Sequence, residues 1–162
     1  MVMSLLPTRI HQQLPDPTDT FMRSWHQFDE CLSSPSDPQL WAEHLVFEAG
    51  KLLSSFDADD WTAAQERWKE RDVTWQARFA DVLLDGDLVR TAPILVKMIE
   101  ETPHDSVAMA AADSLRTALK TRMLAVSPKV ITRIRHLQSK SSGLMRDSLM
   151  RLIERLHNDT AS

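Results

Sequence analysis

Glycine is scarce in this chain: only Gly50, Gly86 and Gly143 occur among 162 residues. Three scattered glycines cannot write GxGxxG or GxxxxGKS/T, so nucleotide enzymes of the Rossmann and P-loop kinds are disfavoured. Cysteine is limited to Cys31, which excludes an internal disulfide framework and the usual multi-cysteine zinc sites. Tyrosine is absent. No apolar run approaches the roughly 18 residues that a membrane span needs. The opening stretch, MVMSLLPTRIHQQLPDP, has neither a basic region nor a sustained apolar one, so no signal peptide is expected. With one unpaired cysteine, the expected compartment is the cytoplasm.

What remains is an ordinary mixture, 43% hydrophobic and 26% charged, in a chain of one-domain size. A chain of this length buries about two-thirds of its unfolded surface, enough for a core without staples. The organisation expected is an N-terminal extension at 1–15, a single helical domain at 16–158 and a short tail at 159–162. The net charge of −4 conceals a division. Residues 1–115 hold 9 Lys and Arg against 20 Asp and Glu, whereas residues 116–157 hold 10 against 2. Such asymmetry points to charged partners without saying which pole is used.

The apolar residues recur at helical spacing almost throughout. Asp16-Pro17 offers a cap with proline at the first helical position, followed by Phe21, Trp25, Phe28 and Leu32. Asp37-Pro38 starts a second helix running to about Ser54. Asp57 to Asp60 form an acidic opening for a third, where carboxylates suit the positive end of the helix dipole. A fourth carries Trp75, Phe79, Val82 and Leu83, with Gly86 at the place of a C-terminal cap. Pro93 either opens or kinks the next. Asp105 is expected to cap a sixth, Ser127-Pro128 to start a seventh, and Ser141-Ser142-Gly143 to separate it from the last. No strand is expected, so the class is all-α, with about eight helices.

These helices repeat. Phe79-Ala80-Asp81-Val82-Leu83, Ala111-Ala112-Asp113-Ser114-Leu115 and Met145-Arg146-Asp147-Ser148-Leu149 align at intervals of 32 and 34 residues. Pro93-Ile94-Leu95-Val96 and Ile99 match Pro128-Lys129-Val130-Ile131 and Ile134. A unit of two helices cannot bury its apolar stripe alone, so antiparallel hairpins must stack. The Trp68, Arg71, Trp75, Arg78 spacing and the Ala-Ala-Asp-Ser-Leu run resemble HEAT-like helical repeats. More narrowly, Trp61 to about Leu119 resembles the small HEAT-like immunity proteins of bacterial polymorphic or contact-dependent-inhibition toxin systems. The resemblance implies a short α-solenoid that binds a toxin and occludes its active site. The residues before about position 55 do not clearly fit the repeat.

Reactive constellations are weak. His26 with Glu30 and His44 with Glu48 lie one helical turn apart, but a metal needs three or four converging ligands and no HExxH is present. Cys31 reads as a small apolar residue rather than an activated thiolate. No GxSxG elbow occurs. The expectation is therefore a chain that is not an enzyme, without metal, cofactor or small-molecule substrate.

Residues 57–87 hold nine acidic side chains against Arg67, Lys69, Arg71 and Arg78. Asp59, Asp60, Glu66, Glu70, Asp85 and Asp87 are expected to be exposed. A concentrated negative surface can steer and hold a basic protein, such as a nuclease domain whose own site attracts phosphate. Trp61, beside these carboxylates, is a candidate partially exposed hot spot. The expected partner-binding set is Asp57, Asp59, Asp60, Trp61, Glu66, Glu70, Asp85 and Asp87, and the expected partner is a cognate protein toxin rather than a membrane. Two alternatives stand beside it. One is a HEAT-like nucleic-acid-binding or repair protein using the basic C-terminal helices, although no aromatic residue after Phe79 is there to stack on a base. The other is a generic helical scaffold.

Overall fold

Carboxylates and prolines set most of the helix starts. In the computed structural model, which describes residues 23–159, α1 spans Arg23–Ser33. Asp37 then caps α2, Pro38–Leu40, by accepting from the Leu40 N–H at 2.8 Å, with Pro38 at the first position. A π-helical turn, Trp41–Leu45, joins α2 to α3, Val46–Ser54, so the expected second helix is one run with a widened turn inside it. Asp57 caps α4, Ala58–Arg67, and a 3-10 turn, Trp68–Glu70, ends it. Asp72 caps α5, Val73–Leu83, and Asp87 caps α6, Leu88–Glu101. The remaining helices are α7, Asp105–Leu119, α8, Pro128–Ser139, and α9, Gly143–Ile153. The expected extension at 1–15, the Asp16-Pro17 start and most of the expected tail lie outside the described residues.

The fold is all-α: eight helices among the described residues when α2, the π turn and α3 are taken as one. The expectation of no strand needs correction. β1, Leu124–Val126, and β2, Leu156–Asn158, pair in parallel. Three residues per strand are too few for an alternating pattern to register, and the partners lie 32 positions apart. None of the described helices is long and apolar enough to cross a membrane.

With α2, the π turn and α3 taken as one helix, α1 packs on its successor α3, and helices two apart pack on one another: α3 on α5, α5 on α7, α7 on α9, and α6 on α8. Consecutive pairs α6–α7 and α8–α9 close as hairpins. The aligned sequence positions share their environments. Phe79, Ala80, Val82 and Leu83 are buried around exposed Asp81, as Ala111, Ala112, Ser114 and Leu115 are around exposed Asp113. The α9 counterpart, at the end of the stack, keeps only Leu149 buried in that run. Ala111 and Ala112 are fully covered, and small side chains there let α7 lie close to its neighbours.

An aromatic cluster fills the space between α1, α4 and α5. Trp25 packs edge-on against Trp75 at 6.1 Å and Phe56 at 6.4 Å, and Phe28 meets Phe79 at 6.0 Å. The break at Arg71-Asp72 places Trp61, Trp68 and Trp75 on separate segments, and all three are buried. Arg78 ties this core to the turn after α1. Its guanidinium donates to the carbonyls of Leu32 (3.0 Å), Ser34 (2.7 Å) and Ser36 (3.0 Å), and it stacks over Trp41 at 4.8 Å. α1 has no basic residue in its own last turn, so α5 supplies the cation that its C-terminal carbonyls favour.

Two local expectations change, at Gly86 and Asp105, and Pro93 takes the second of its two expected places, inside the helix and not at its start. Gly86 does not adopt a left-handed conformation. It is required by space, because a Cβ there would lie 2.5 Å from Thr91 Cγ2 and 3.2 Å from Leu53 Cδ2. Pro93 lies inside α6, which starts five residues earlier at Leu88 because Asp87 caps it there. Asp105 is the first residue of α7 but caps nothing; Arg133 of α8 (2.8 Å) and Lys140 just after it (3.0 Å) hold its carboxylate instead. The Lys140 hydrogen bond is the main reason that its pKa falls below the ordinary carboxylate value.

Candidate functional site

Two of the eight expected partner-binding residues, Asp60 and Trp61, are buried and not exposed. Asp60 is only 2% exposed, and its two oxygens accept from the Trp25 N–H and the Asp57 N–H, each at 3.1 Å. It thus serves the first turn of α1 while closing a reciprocal capping box at the start of α4. The sequence reading took it for an exposed carboxylate because the α1 donor is 35 residues away. Trp61 is 8% exposed rather than a protruding hot spot, with its ring edge-on to Phe56 at 5.3 Å.

The other six are exposed: Asp57, Asp59, Glu66, Glu70, Asp85 and Asp87. Asp57 and Asp87 spend one oxygen each on a cap. Asp59, Glu66, Glu70 and Asp85 have no ion pair among the described residues. Asp59, Thr62 and Glu66 follow helical spacing along the outer face of α4, and Glu70 lies on the turn that continues it.

The structure brings three of the expected residues to one place. Trp61 from α4 and Asp85 and Asp87 from the α5–α6 turn line a cleft of about 380 Å³, with Leu53 and Ser54 of α3 behind them. Phe56, Gly86 and Arg90 complete it. The guanidinium carbon of Arg90 stands 6.0 Å from the centre of the Trp61 ring. Sequence reasoning missed Arg90, Leu53 and Phe56 as members of this cleft. Their only local signal was helical phase, and the meeting of α3, α4 and the start of α6 is a tertiary fact. Farther along, Gln65 and Trp68 face Pro93, Ile94 and Lys97 across a smaller hollow. Lys69 and Glu101 form an ion pair beyond it.

The reactive candidates are placed as surface or packing groups. His26, Glu30, His44 and Glu48 are all exposed, and Glu48 pairs with Lys51 at 3.0 Å. Among the described residues no group of three or more His, Cys, Asp or Glu side chains is gathered to hold a metal ion. The Cys31 thiol donates toward the Leu45 carbonyl at 3.7 Å, and burial pushes its pKa up, reinforced by the Glu48 charge and opposed by Arg78. A raised thiol pKa favours the protonated form, which is the weaker nucleophile.

The basic segment is divided. Arg116 pairs with Asp113 at 3.1 Å, and Arg133 and Lys140 with Asp105. Lys120, Arg122, Lys129, Arg135, Arg146 and Arg151 are exposed and form no ion pair among the described residues. No protein-family model, curated protein or solved structure matches this chain.

Proposed function

We propose that this chain is a binding protein, the immunity partner of a bacterial toxin, and that its carboxylate-rich face covers a basic surface on that toxin. One observation carries the reading. Residues distant in sequence, Trp61, Asp85 and Asp87, share a cleft, while Asp59, Glu66 and Glu70, on α4 and the turn after it, form no ion pair among the described residues. A surface of this kind offers long-range attraction to a basic protein and an apolar floor to hold it. The toxin part of the proposal rests on the resemblance of Trp61–Leu119 to HEAT-like immunity proteins. The pairing of helices two apart is in keeping with such a short solenoid. Inhibition by occlusion asks for no chemistry from the chain itself. A nuclease domain with a phosphate-attracting groove is the kind of toxin that such a face fits.

The test is binding to the toxin encoded beside the gene for this chain, measured as association and dissociation rates at low and physiological salt. Asp59→Lys, Glu66→Lys and Glu70→Lys together are expected to slow association about tenfold or more at low salt. Unchanged rate and affinity under those conditions would refute the acidic-face reading. A genomic neighbourhood without a toxin gene would favour a scaffold instead.

A further inference from the structure

We propose that the cleft between α3, α4 and the α5–α6 turn is a receptor for one arginine side chain of a protein partner, and that Arg90 occupies it in the partner's absence. The inference rests on the reading above that the partner is basic, and it names the group recognised.

The chemistry of the cleft is that of a guanidinium site. Its floor is apolar and aromatic, from Leu53, Phe56 and Trp61, and suits the methylene stem of a long cationic side chain. Its rim carries Asp85 and Asp87, both exposed. A planar guanidinium can stack on an indole face while donating to a carboxylate beside it, which an ammonium does less well. At about 380 Å³ the cleft lies at the low end of the range of about 300–1,000 Å³ for small-ligand sites, a volume for a side chain and its nearest waters.

The second observation is what the cleft already holds. Arg90 comes from the first turn of α6 and places its guanidinium over Trp61, yet has no ion pair among the described residues. The ring therefore bears the same group that we assign to the partner, held by a side chain exposed enough to leave. Arg90 then acts as a competitor. It keeps stray basic peptides from the ring, and a partner whose other contacts supply the difference displaces it. Asp87 accepts from the Val89 N–H at the start of α6, so the turn that carries the carboxylates is fixed relative to Arg90.

The experiment uses the full chain and two blocked tripeptides, Gly-Arg-Gly and its citrulline counterpart, followed by amide and indole NMR shifts. The arginine peptide is expected to move the Trp61 indole and the amides of residues 85–87 at millimolar concentration, and the citrulline peptide to leave them unmoved. Arg90→Ala is expected to tighten binding about threefold by freeing the ring, the size of one exposed cation–π contact. Asp85→Asn with Asp87→Asn is expected to weaken it about tenfold, and asparagine at 87 retains the cap. Equal shifts with both peptides, no shift near residues 61 and 85–87, or weaker binding by Arg90→Ala would each overturn the proposal. None of those outcomes touches the α4 charge-reversal result, so failure of the arginine site and failure of the acidic face are read separately.

Discussion

Replacing Asp60 by alanine separates a structural carboxylate from the functional ones beside it. Asp60 accepts two backbone N–H groups at 3.1 Å, from Trp25 in the first turn of α1 and from Asp57 at the start of α4. Hydrogen bonds to a charged group contribute about 1.5–3 kcal/mol each, and loss of a helix cap typically costs about 1 kcal/mol. The two accounts overlap, and the part-buried Asp57 N–H can regain water whereas the buried Trp25 N–H cannot. The expected loss for Asp60→Ala is about 3–4 kcal/mol, or about 6–16 °C in Tm for a chain of this size. Asp60→Asn is nearly as harmful, since one amide oxygen serves one donor and the NH2 group then confronts the other. Asp59→Ala, one residue away and exposed, is expected to change stability by no more than about 0.5 kcal/mol. Urea unfolding of the three variants decides the matter. A loss for Asp60→Ala within about 1 kcal/mol of that for Asp59→Ala would refute the double-cap reasoning.

Arg78→Met removes donors to three carbonyls; with those of Ser34 and Ser36 half-buried and open to water, the expected cost is about 2–4 kcal/mol, and Arg78→Lys restores less than half because one nitrogen cannot span the fork. Gly86→Ala is expected to cost about 1–3 kcal/mol in urea unfolding, because its Cβ would meet Thr91 Cγ2 at 2.5 Å. Asp81→Asn is expected to stabilise the protein at pH 7. Asp81 is exposed as a residue, but its neighbours partly desolvate the carboxyl and so raise its pKa, opposed by the Trp41 indole donor and reinforced by the Asp113 charge, and the folded state holds this proton more tightly than the unfolded chain. The wild-type deficit is therefore full above the folded pKa and disappears as pH falls to the unfolded value, and urea midpoints of the two proteins should converge at acid pH.

Much of the fold was legible because its signals are local. Asp37-Pro38 and Asp57 announced helix starts through groups two or three residues away. Helical period marked Trp75, Phe79, Val82 and Leu83 as one apolar stripe, and all four are buried in α5. What was not legible depended on tertiary neighbours. Asp60 looked like its exposed neighbours because its first partner is on α1. Asp105 looked like a cap, but Arg133 of α8 and Lys140 just after it claim its carboxylate. Gly86 looked like a left-handed stop and is instead a place where α6 and α3 come close. The candidate site divides in the same way: exposure of Asp59, Glu66, Glu70, Asp85 and Asp87 followed from phase and turn position, whereas the cleft joining Trp61 to Asp85 and Asp87 did not.

The segregated charge acquires a definite form in the folded chain. Part of the C-terminal positive charge is turned back onto the acids of α7: Arg133 and Lys140 hold Asp105, and Arg116 holds Asp113. The acids of α4 and the α5–α6 turn receive no such neutralisation, since among the described residues Asp59, Glu66, Glu70 and Asp85 lack an ion pair. Exposed pairs add little stability, so the difference matters less for folding than for the field that each surface presents. Around α7 and α8 that field is partly cancelled at short range. On α4 the exposed Arg67 stands among the carboxylates, and in the cleft Arg90 over Trp61 stands beside Asp85 and Asp87. Displacing Arg90 gives an incoming arginine both the ring and those two carboxylates, so the strength of the site depends on a single removable side chain.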